Sequence, residues 1–322
     1  MNQELLNRLG TLRSQEDTIN LGYIPTGSYA LNYIVSGKYS GGFPIGRLIE
    51  IYGESSTGKT AILTHVIREA QKLGYFTGLL DNEFSYNPEL AETLGVDNSK
   101  LVFATPDTVV GCFKKAQEWI DEFRKEDKDT PMLICLDSLA GQSSVESEKD
   151  IGDFSPTDGP RRSLEIGQCL RMLKPELMKS KVCFIVINQT RVNINVTYGD
   201  KTAKSGGGAA LAFWCDTSLL TLSNKTSDIL RIDTKPIGIK GVIRSKKAKG
   251  TIPFRECEFR LDFDKGLNSM YGLLPLLAMD GTIEKNGGWY TLKSTGAKFQ
   301  ESSFHNGEVK IEELDKILGI EV

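Results

Sequence analysis

Histidine is nearly absent from this chain: it holds two, His65 and His305, with no cluster of ligand-type residues beside either. That weighs against a structural zinc site and against a Ser/His hydrolase triad. The six cysteines, Cys112, Cys135, Cys169, Cys183, Cys215 and Cys257, form no C-x-x-C pair. Cys135 and Cys183 lie inside apolar runs, where a thiol behaves as a small hydrophobe, so reduced and buried cysteines are expected. Long apolar runs are missing too; the most apolar stretch, residues 272–279, is far too short to span a bilayer. The chain opens Met-Asn-Gln-Glu-Leu-Leu, without a basic n-region or apolar core, so we expect a cytoplasmic protein with no signal peptide and no membrane partner. Neither sign of charge dominates: 39 basic against 42 acidic side chains leave a net −3 over 322 residues. This balance argues against a histone-like polyanion binder. A chain 25% charged and 39% hydrophobic is an ordinary globular mixture, not a disordered one.

What is present is an alternation of apolar runs and amphipathic segments. Residues 48–52 read as a strand, 60–72 as a helix, 76–81 as a strand and 88–94 as a helix. A short strand at 101–104 precedes a long helix over 109–125, whose Val109, Phe113, Ala116, Trp119, Ile120 and Phe123 recur at helical spacing. Buried-looking strands at 132–136 and 182–187 flank a helix over 162–179. Continuous apolar strands separated by helices imply an α/β fold, a central mostly parallel sheet covered by helices on both faces. Two stretches, 140–160 and 190–208, are polar and aperiodic, and loops of that length are usually functional or mobile rather than idle connectors. Beyond residue 209 the period drops to two, and 218–222, 229–232, 240–245 and 257–263 read as antiparallel strands. The composition changes again near 264, where a helix over 272–279, a Gly287-Gly288-Trp289-Tyr290 hairpin and a helix over 309–318 are expected. The expected organisation is a short arm (1–24), an α/β core with an antiparallel extension (25–263) and a small α+β domain (264–322).

The sharpest local signal is Gly53-Glu54-Ser55-Ser56-Thr57-Gly58-Lys59-Thr60, a full G-x-x-x-x-G-K-T match leaving a strand and opening a helix. Such a loop turns backbone N–H groups around phosphate oxygens at a helix amino terminus, which predicts ATP as ligand. Lys59 would then reach the β- and γ-phosphates, and the Thr60 hydroxyl would ligate Mg²⁺. Other polar residues stand at strand ends, where ligands gather in parallel sheets. Asp137 closes the run 132–136 and is read as a second holder of Mg²⁺; Glu83, just past 76–81, suits a general base for the attacking water, although Asp81 sits two residues away. Gln189 ends the run 182–187 and is placed to sense the γ-phosphate.

Several segments, in order, resemble the RecA family of recombinases: Ile24-Pro-Thr-Gly-Ser28, Gly41-Gly-Phe-Pro-Ile-Gly46, Glu50-Ile-Tyr-Gly53, Leu80-Asp-Asn-Glu83, Leu94-Gly-Val96, Pro106-Asp-Thr108, Leu136-Asp-Ser138 and Ile187-Asn-Gln189. The likeness spans about 22–290, and its later part, with Ser269-Met-Tyr-Gly-Leu-Leu274 and Asn286-Gly-Gly-Trp-Tyr290, is similar to bacteriophage members, so a virus-encoded origin is expected. The resemblance implies a DNA-stimulated ATPase that forms filaments on single-stranded DNA and pairs it with homologous duplex, with single-strand-binding and loader proteins as further partners. It implies Glu83 as the catalytic carboxylate and Gln189 as the nucleotide sensor. Residues 140–160 and 190–208 would be the two DNA-binding loops, with Arg171, Gly207 and Gly208 at DNA-contacting positions, Arg191 beside the sensor, and Phe213 linking nucleotide state to the neighbouring subunit. Arg244 and Lys246 stand where the family has a lysine pair reaching the neighbouring subunit's ATP. Leu90 replaces the family's adenine-stacking tyrosine.

Charge supports this in part. Lys240, Arg244, Lys246, Lys247, Lys249 and Arg255 form a cationic run in a net-acidic chain, suited to a triphosphate at a subunit boundary. Arg161, Arg162, Arg171 and Lys174 form another beside the first loop, suited to DNA phosphates. A ring-forming motor and a non-hydrolysing mediator remain as alternatives, separated from the recombinase by particle shape and by turnover.

Overall fold

The computed structural model describes residues 21–139, 158–191, 204–205, 209–223, 227–305, 316, 318 and 319. After a two-residue pairing of β1 (Tyr23–Ile24) with β2 (Phe43–Pro44) around α1 (Tyr29–Ser36), the chain enters one eleven-stranded sheet. Its parallel part holds β3 (Leu48–Gly53), β4 (Phe76–Asp81), β5 (Leu101–Ala104), β6 (Met132–Asp137) and β7 (Val182–Arg191). The connecting helices are α2 (Lys59–Lys72), α3 (Pro88–Thr93), α4 (Val109–Glu126) and α5 (Asp158–Lys179). Beyond β8 (Lys204–Ser205) and α6 (Ala209–Trp214) come β9 (Thr217–Leu222), β10 (Ile229–Ile232), β11 (Lys235–Ala248), β12 (Glu256–Asp262) and β13 (Gly266–Leu267). The main strand order is β13-β12-β11-β9-β3-β7-β6-β4-β5.

Alternation along the strands feeds two separate cores. Ile49, Ile51, Leu133, Cys135, Cys183 and Ile185 pack with α1 and α2 on one face. Leu48, Ile134, Leu136, Phe184 and Val186 meet Phe113, Ile120, Leu170 and Leu177 of α4 and α5 on the other. A strand buried on both faces reads as an unbroken apolar run, which is why the central strands were recognisable. Helix starts follow local chemistry: Thr108 accepts the Gly111 N–H at 3.0 Å ahead of α4, and Asn87 accepts the Leu90 N–H at 3.0 Å ahead of α3.

The smaller C-terminal part holds α7 (Leu273–Met279), a sheet of β14 (Ile283–Asn286), β15 (Trp289–Leu292) and β16 (Lys298–Gln300), and α8 (Glu301–His305). The Asn286–Trp289 register leaves Gly287-Gly288 as the two-residue turn expected there. Leu273, Tyr290 and Phe304 join the first core, so this part packs directly on the α1/α2 side.

Three expectations are corrected. Residues 158–160 belong to α5, so the first aperiodic segment is shorter than 140–160. Thr190 and Arg191 extend β7 and pair antiparallel with Ser205 and Lys204, which makes a hairpin base inside the expected second loop. β9, grouped with the antiparallel strands, runs antiparallel to β11 as expected but parallel to β3, so it joins the parallel set to the antiparallel extension. The expected helix over 309–318 lies mostly outside the described residues, as do residues 1–20 of the arm. Among the described residues no helix is long and apolar enough to cross a membrane.

Candidate nucleotide site

The parallel register brings the strand ends to one edge of the sheet. Gly53 pairs with Gln189 across β3 and β7, and Asp81 with Asp137 across β4 and β6. The loop after β3 needs its glycines. A Cβ at Gly53 would lie 2.1 Å from the Thr221 hydroxyl, and Gly58 holds φ +84° where it opens α2 without a side-chain cap. The first-turn N–H groups of α2 therefore remain for a ligand, with the positive end of the helix dipole behind them. Thr57 closes the loop from beneath, its Oγ1 2.8 Å from that of Thr221.

A cleft of about 320 Å³ is lined by Ser55, Ser56, Gly58, Lys59, Thr60, Glu83, Asp137 and Gln189. Lys59 is buried, and its ammonium donates to the Glu54 carbonyl at 2.6 Å. Burial pushes its pKa down, against the attraction of Asp137, Glu83 and Glu54. The Thr60 hydroxyl donates to Asp137 Oδ2 at 2.7 Å. Asp137 is 2% exposed, and its Oδ1 has no hydrogen-bond partner among the described residues. Burial pushes the Asp137 carboxyl up to about 6, reinforced by Glu83 and Asp81. A hydroxyl beside a buried carboxylate oxygen with an unanswered lone pair is a donor set that fits a hard divalent cation.

Glu83 and Asp81, which the sequence left adjacent, have separate tasks. Asp81 is buried and accepts the backbone N–H groups of Glu83, Ser85 and Tyr86 at 3.2, 3.3 and 3.0 Å, shaping the turn after β4. Glu83 faces the cleft and accepts from Gln189 Nε2 at 2.9 Å. Phe84, next to it, is 80% exposed at φ +52°, a conformation unusual for a bulky side chain.

The remaining candidates are dispersed. Arg244 lies on β11 opposite Glu256, their side chains paired at 2.8 Å, and lines a second cleft with Glu54 and Thr57 beside the loop. Lys246 is half-buried at a β-bulge two residues further on. On α5, Arg161 and Arg171 are exposed, whereas Arg162 donates to the Leu139 carbonyl just before the first loop. Lys174, grouped with them by spacing, is engaged inside the protein by Trp214 and Asp216. Leu90 is 45% exposed on α3, and Phe213 is 70% exposed with its ring edge-on to Trp214. The backbone of Arg191 ends β7, while its side chain, Gly207 and Gly208 lie outside the described residues, as do 140–157 of the first loop.

Sequence reading missed Glu50. It is fully buried in mid-β3, where Ser218 Oγ donates to it at 2.7 Å and Asn188 Nδ2 at 3.5 Å. A charged residue inside the run Leu48-Ile-Glu-Ile-Tyr52 was the only available signal.

A phosphate loop that leaves a central parallel strand, with a Thr–Asp pair whose carboxylate is buried and a further carboxylate at a neighbouring strand end, defines a P-loop nucleotide-binding protein of the α/β class. Residues 5–268 match the family described as RecA N-terminal domain. The mitochondrial DNA repair protein recA homolog of Dictyostelium discoideum is 34% identical over 286 residues, 87% of this chain but 59% of that protein. Protein RecA of Heliobacterium modesticaldum is 32% identical over 270 residues, 84% of this chain and 74% of that protein. Protein RecA of Thermus thermophilus is 33% identical over 285 residues, 88% and 78% of the two chains. The chain belongs to the RecA family.

Proposed function

We propose that this chain is an ATP-dependent DNA recombinase, which assembles on single-stranded DNA and promotes pairing and strand exchange with a homologous duplex. The observation that carries the reading is the contact between Glu83 and Gln189 at 2.9 Å, in a cleft that also holds Lys59, Thr60 and Asp137. It joins the candidate base of hydrolysis to the strand that runs straight into the second candidate DNA loop.

The loop from Gly53 to Gly58 would cradle the phosphates through backbone N–H groups, with Lys59 turning from the Glu54 carbonyl to neutralise their charge. Thr60 and Asp137 would hold Mg²⁺, which supplies charge neutralisation at the phosphates. Glu83 would accept the proton of the attacking water, and Gln189 would report the γ-phosphate to the segment beyond it. Arg244 and Lys246 would act on the nucleotide of a neighbouring subunit, so that ATP contacts two copies and favours the assembled state by its differential affinity. Arg161, Arg162, Arg171, Arg191, Gly207 and Gly208 are the proposed DNA contacts. The arm at 1–24, a core over 25–263 and a small domain over 264–322 are the proposed divisions. Cytoplasmic action, with single-strand-binding and loader proteins, completes the reading.

The test is ATP hydrolysis with and without single-stranded DNA, at fixed Mg²⁺ and salt. Strong stimulation by single strands and weak stimulation by duplex is the expected result. Turnover indifferent to DNA leaves a P-loop ATPase and removes strand exchange.

A further inference from the structure

Glu83 belongs to no helix or strand; it stands in the turn that follows β4. That turn is held unevenly by the sheet. The β4–β6 ladder continues to Asp81–Asp137, and beyond it the Asn82 and Glu83 N–H groups both donate to the Asp137 carbonyl, at 2.7 and 3.3 Å. The β4–β5 ladder stops earlier, at Leu80–Ala104. Past Leu80 the sheet therefore grips the chain from the β6 side only.

The Asn82 side chain replaces the missing ladder. It is half-buried, and its amide is used at both ends. Nδ2 donates to the Pro106 carbonyl, in the connection from β5 to α4, and Oδ1 accepts from Cys112 Sγ at 3.4 Å. A carbonyl can only accept, so the pair of partners fixes which way the amide faces.

Both partners belong to a tightly built helix start. Cys112 is fully buried on α4, and its N–H donates to the Thr108 carbonyl at 3.0 Å. Thr108 in turn caps α4, and a Cβ at Gly111 would lie 3.3 Å from Pro106 Cβ. Asn82 thus ties the residue before Glu83 to rigid partners 24 and 30 positions along the chain. On the other side of Glu83, Phe84 is 80% exposed and its side chain anchors nothing of comparable rigidity. Asp81 shapes the turn from within, through the Glu83, Ser85 and Tyr86 N–H groups. The amide of Asn82 is what holds that turn to the β5 side.

We propose that Asn82 is a positioning residue for the hydrolytic step, which holds the Glu83 carboxylate at the cleft by bridging the turn after β4 to the start of α4. This rests on the reading of Glu83 as the base of ATP hydrolysis. Asn82 touches neither nucleotide nor metal in this scheme; it acts through the backbone it shares with Glu83. A misplacement of about 1 Å in a reacting group costs up to about 10²-fold in rate, so a loosened turn is visible in turnover before it is visible in binding.

The experiment is a double-mutant cycle on the full chain: the parent, Asn82→Ala, Glu83→Gln and the two combined. Measured are kcat with radiolabelled ATP at fixed Mg²⁺ and single-stranded DNA, affinity for a fluorescent ATP analogue, and Tm. The expected result is a kcat about tenfold lower in Asn82→Ala, with nucleotide affinity within about threefold. In the Glu83→Gln background the same substitution should cost less than about twofold more, because the group it positions is already gone. An equal loss in both backgrounds would assign Asn82 to general stability and overturn the inference, as would an unchanged kcat in Asn82→Ala. If Asn82→Ala does not fold, Asn82→Leu, of similar volume but without donor or acceptor, is read against the same outcomes. A parent chain that hydrolyses no ATP, or a Glu83→Gln chain that turns over like the parent, overturns the reading of Glu83 itself and this inference with it.

Discussion

Gln189 donates its side-chain amide to the carboxylate of Glu83 at 2.9 Å, joining two residues 106 positions apart in the chain. The contact spans the ends of β4 and β7, on either side of β6, which supplies Asp137. In the proposed scheme, Glu83 as base would be reoriented when Gln189 turned its amide to another acceptor, such as a γ-phosphate. Replacing Glu83 by Gln should lower ATP hydrolysis by about 10²–10⁴-fold with nucleotide still bound. Replacing Gln189 by Ala should reduce turnover in the presence of single-stranded DNA to its DNA-free level. Undiminished stimulation in Gln189→Ala would show that the contact transmits nothing.

Arg244 tests the proposed action across a subunit boundary. Its partner Glu256 is 54% exposed and Arg244 itself 39%, so the pair adds little to stability. Glu256→Gln should change stability by under about 1 kcal/mol. Arg244→Glu combined with Lys246→Glu should leave the thermal transition of the monomer near its original position and remove DNA-stimulated hydrolysis. Stimulation that survives the charge reversal would assign these cations to a solvated strand face.

How much could be read from the sequence follows from how local each signal is. The phosphate loop and the strands around it were legible, since a central parallel strand is apolar on both faces and the loop motif fits within eight residues. The choice between Asp81 and Glu83 was not, because it depends on which carboxylate the turn after β4 consumes. Glu50 and its partner Ser218 lie 168 positions apart, and no periodicity brings them together. Lys174 looked like one more cation near Arg171. Only the folded chain places Asp216, 42 positions on, against its ammonium.

His65 makes folding sensitive to mild acid. It is buried on α2, its Nε2 accepts the Leu267 N–H at 2.7 Å, and its Nδ1 has no partner among the described residues. Burial, helped by Arg68, lowers its pKa from 6.5 to about 4. The unfolded chain therefore binds a proton below 6.5 that the folded chain refuses until about 4. The stability contribution is complete above 6.5 and is lost as pH falls toward 4, amounting to a few kcal/mol at most. Urea unfolding between these limits should show a steep decline that flattens in His65→Gln, whose amide oxygen still accepts from Leu267. An identical slope in that variant would place the acid sensitivity elsewhere.

Tyr39 ties the core to the C-terminal part by one polar contact. Its hydroxyl donates to Asp280 Oδ2 at 2.5 Å, and its ring stacks on Tyr33 with centroids 4.5 Å apart. Burial and the adjacent carboxylate raise the phenol far above its ordinary pKa, so it stays a donor at any accessible pH. Asp280 follows α7 directly and also accepts the Thr282 N–H at 3.0 Å, so the contact sits at the turn between α7 and β14. Tyr39→Phe keeps the ring stack and deletes the donor, a loss of about 1–3 kcal/mol for a hydrogen bond to a charged group. Hydrogen exchange should then quicken across Leu273–Met279 and Ile283–Asn286 while nucleotide affinity is unchanged. Asp280→Asn, which retains a neutral acceptor, should lie between the two. Exchange in Tyr39→Phe equal to that of the parent would mean that the apolar contacts of Leu273, Tyr290 and Phe304 with the core hold this part without help.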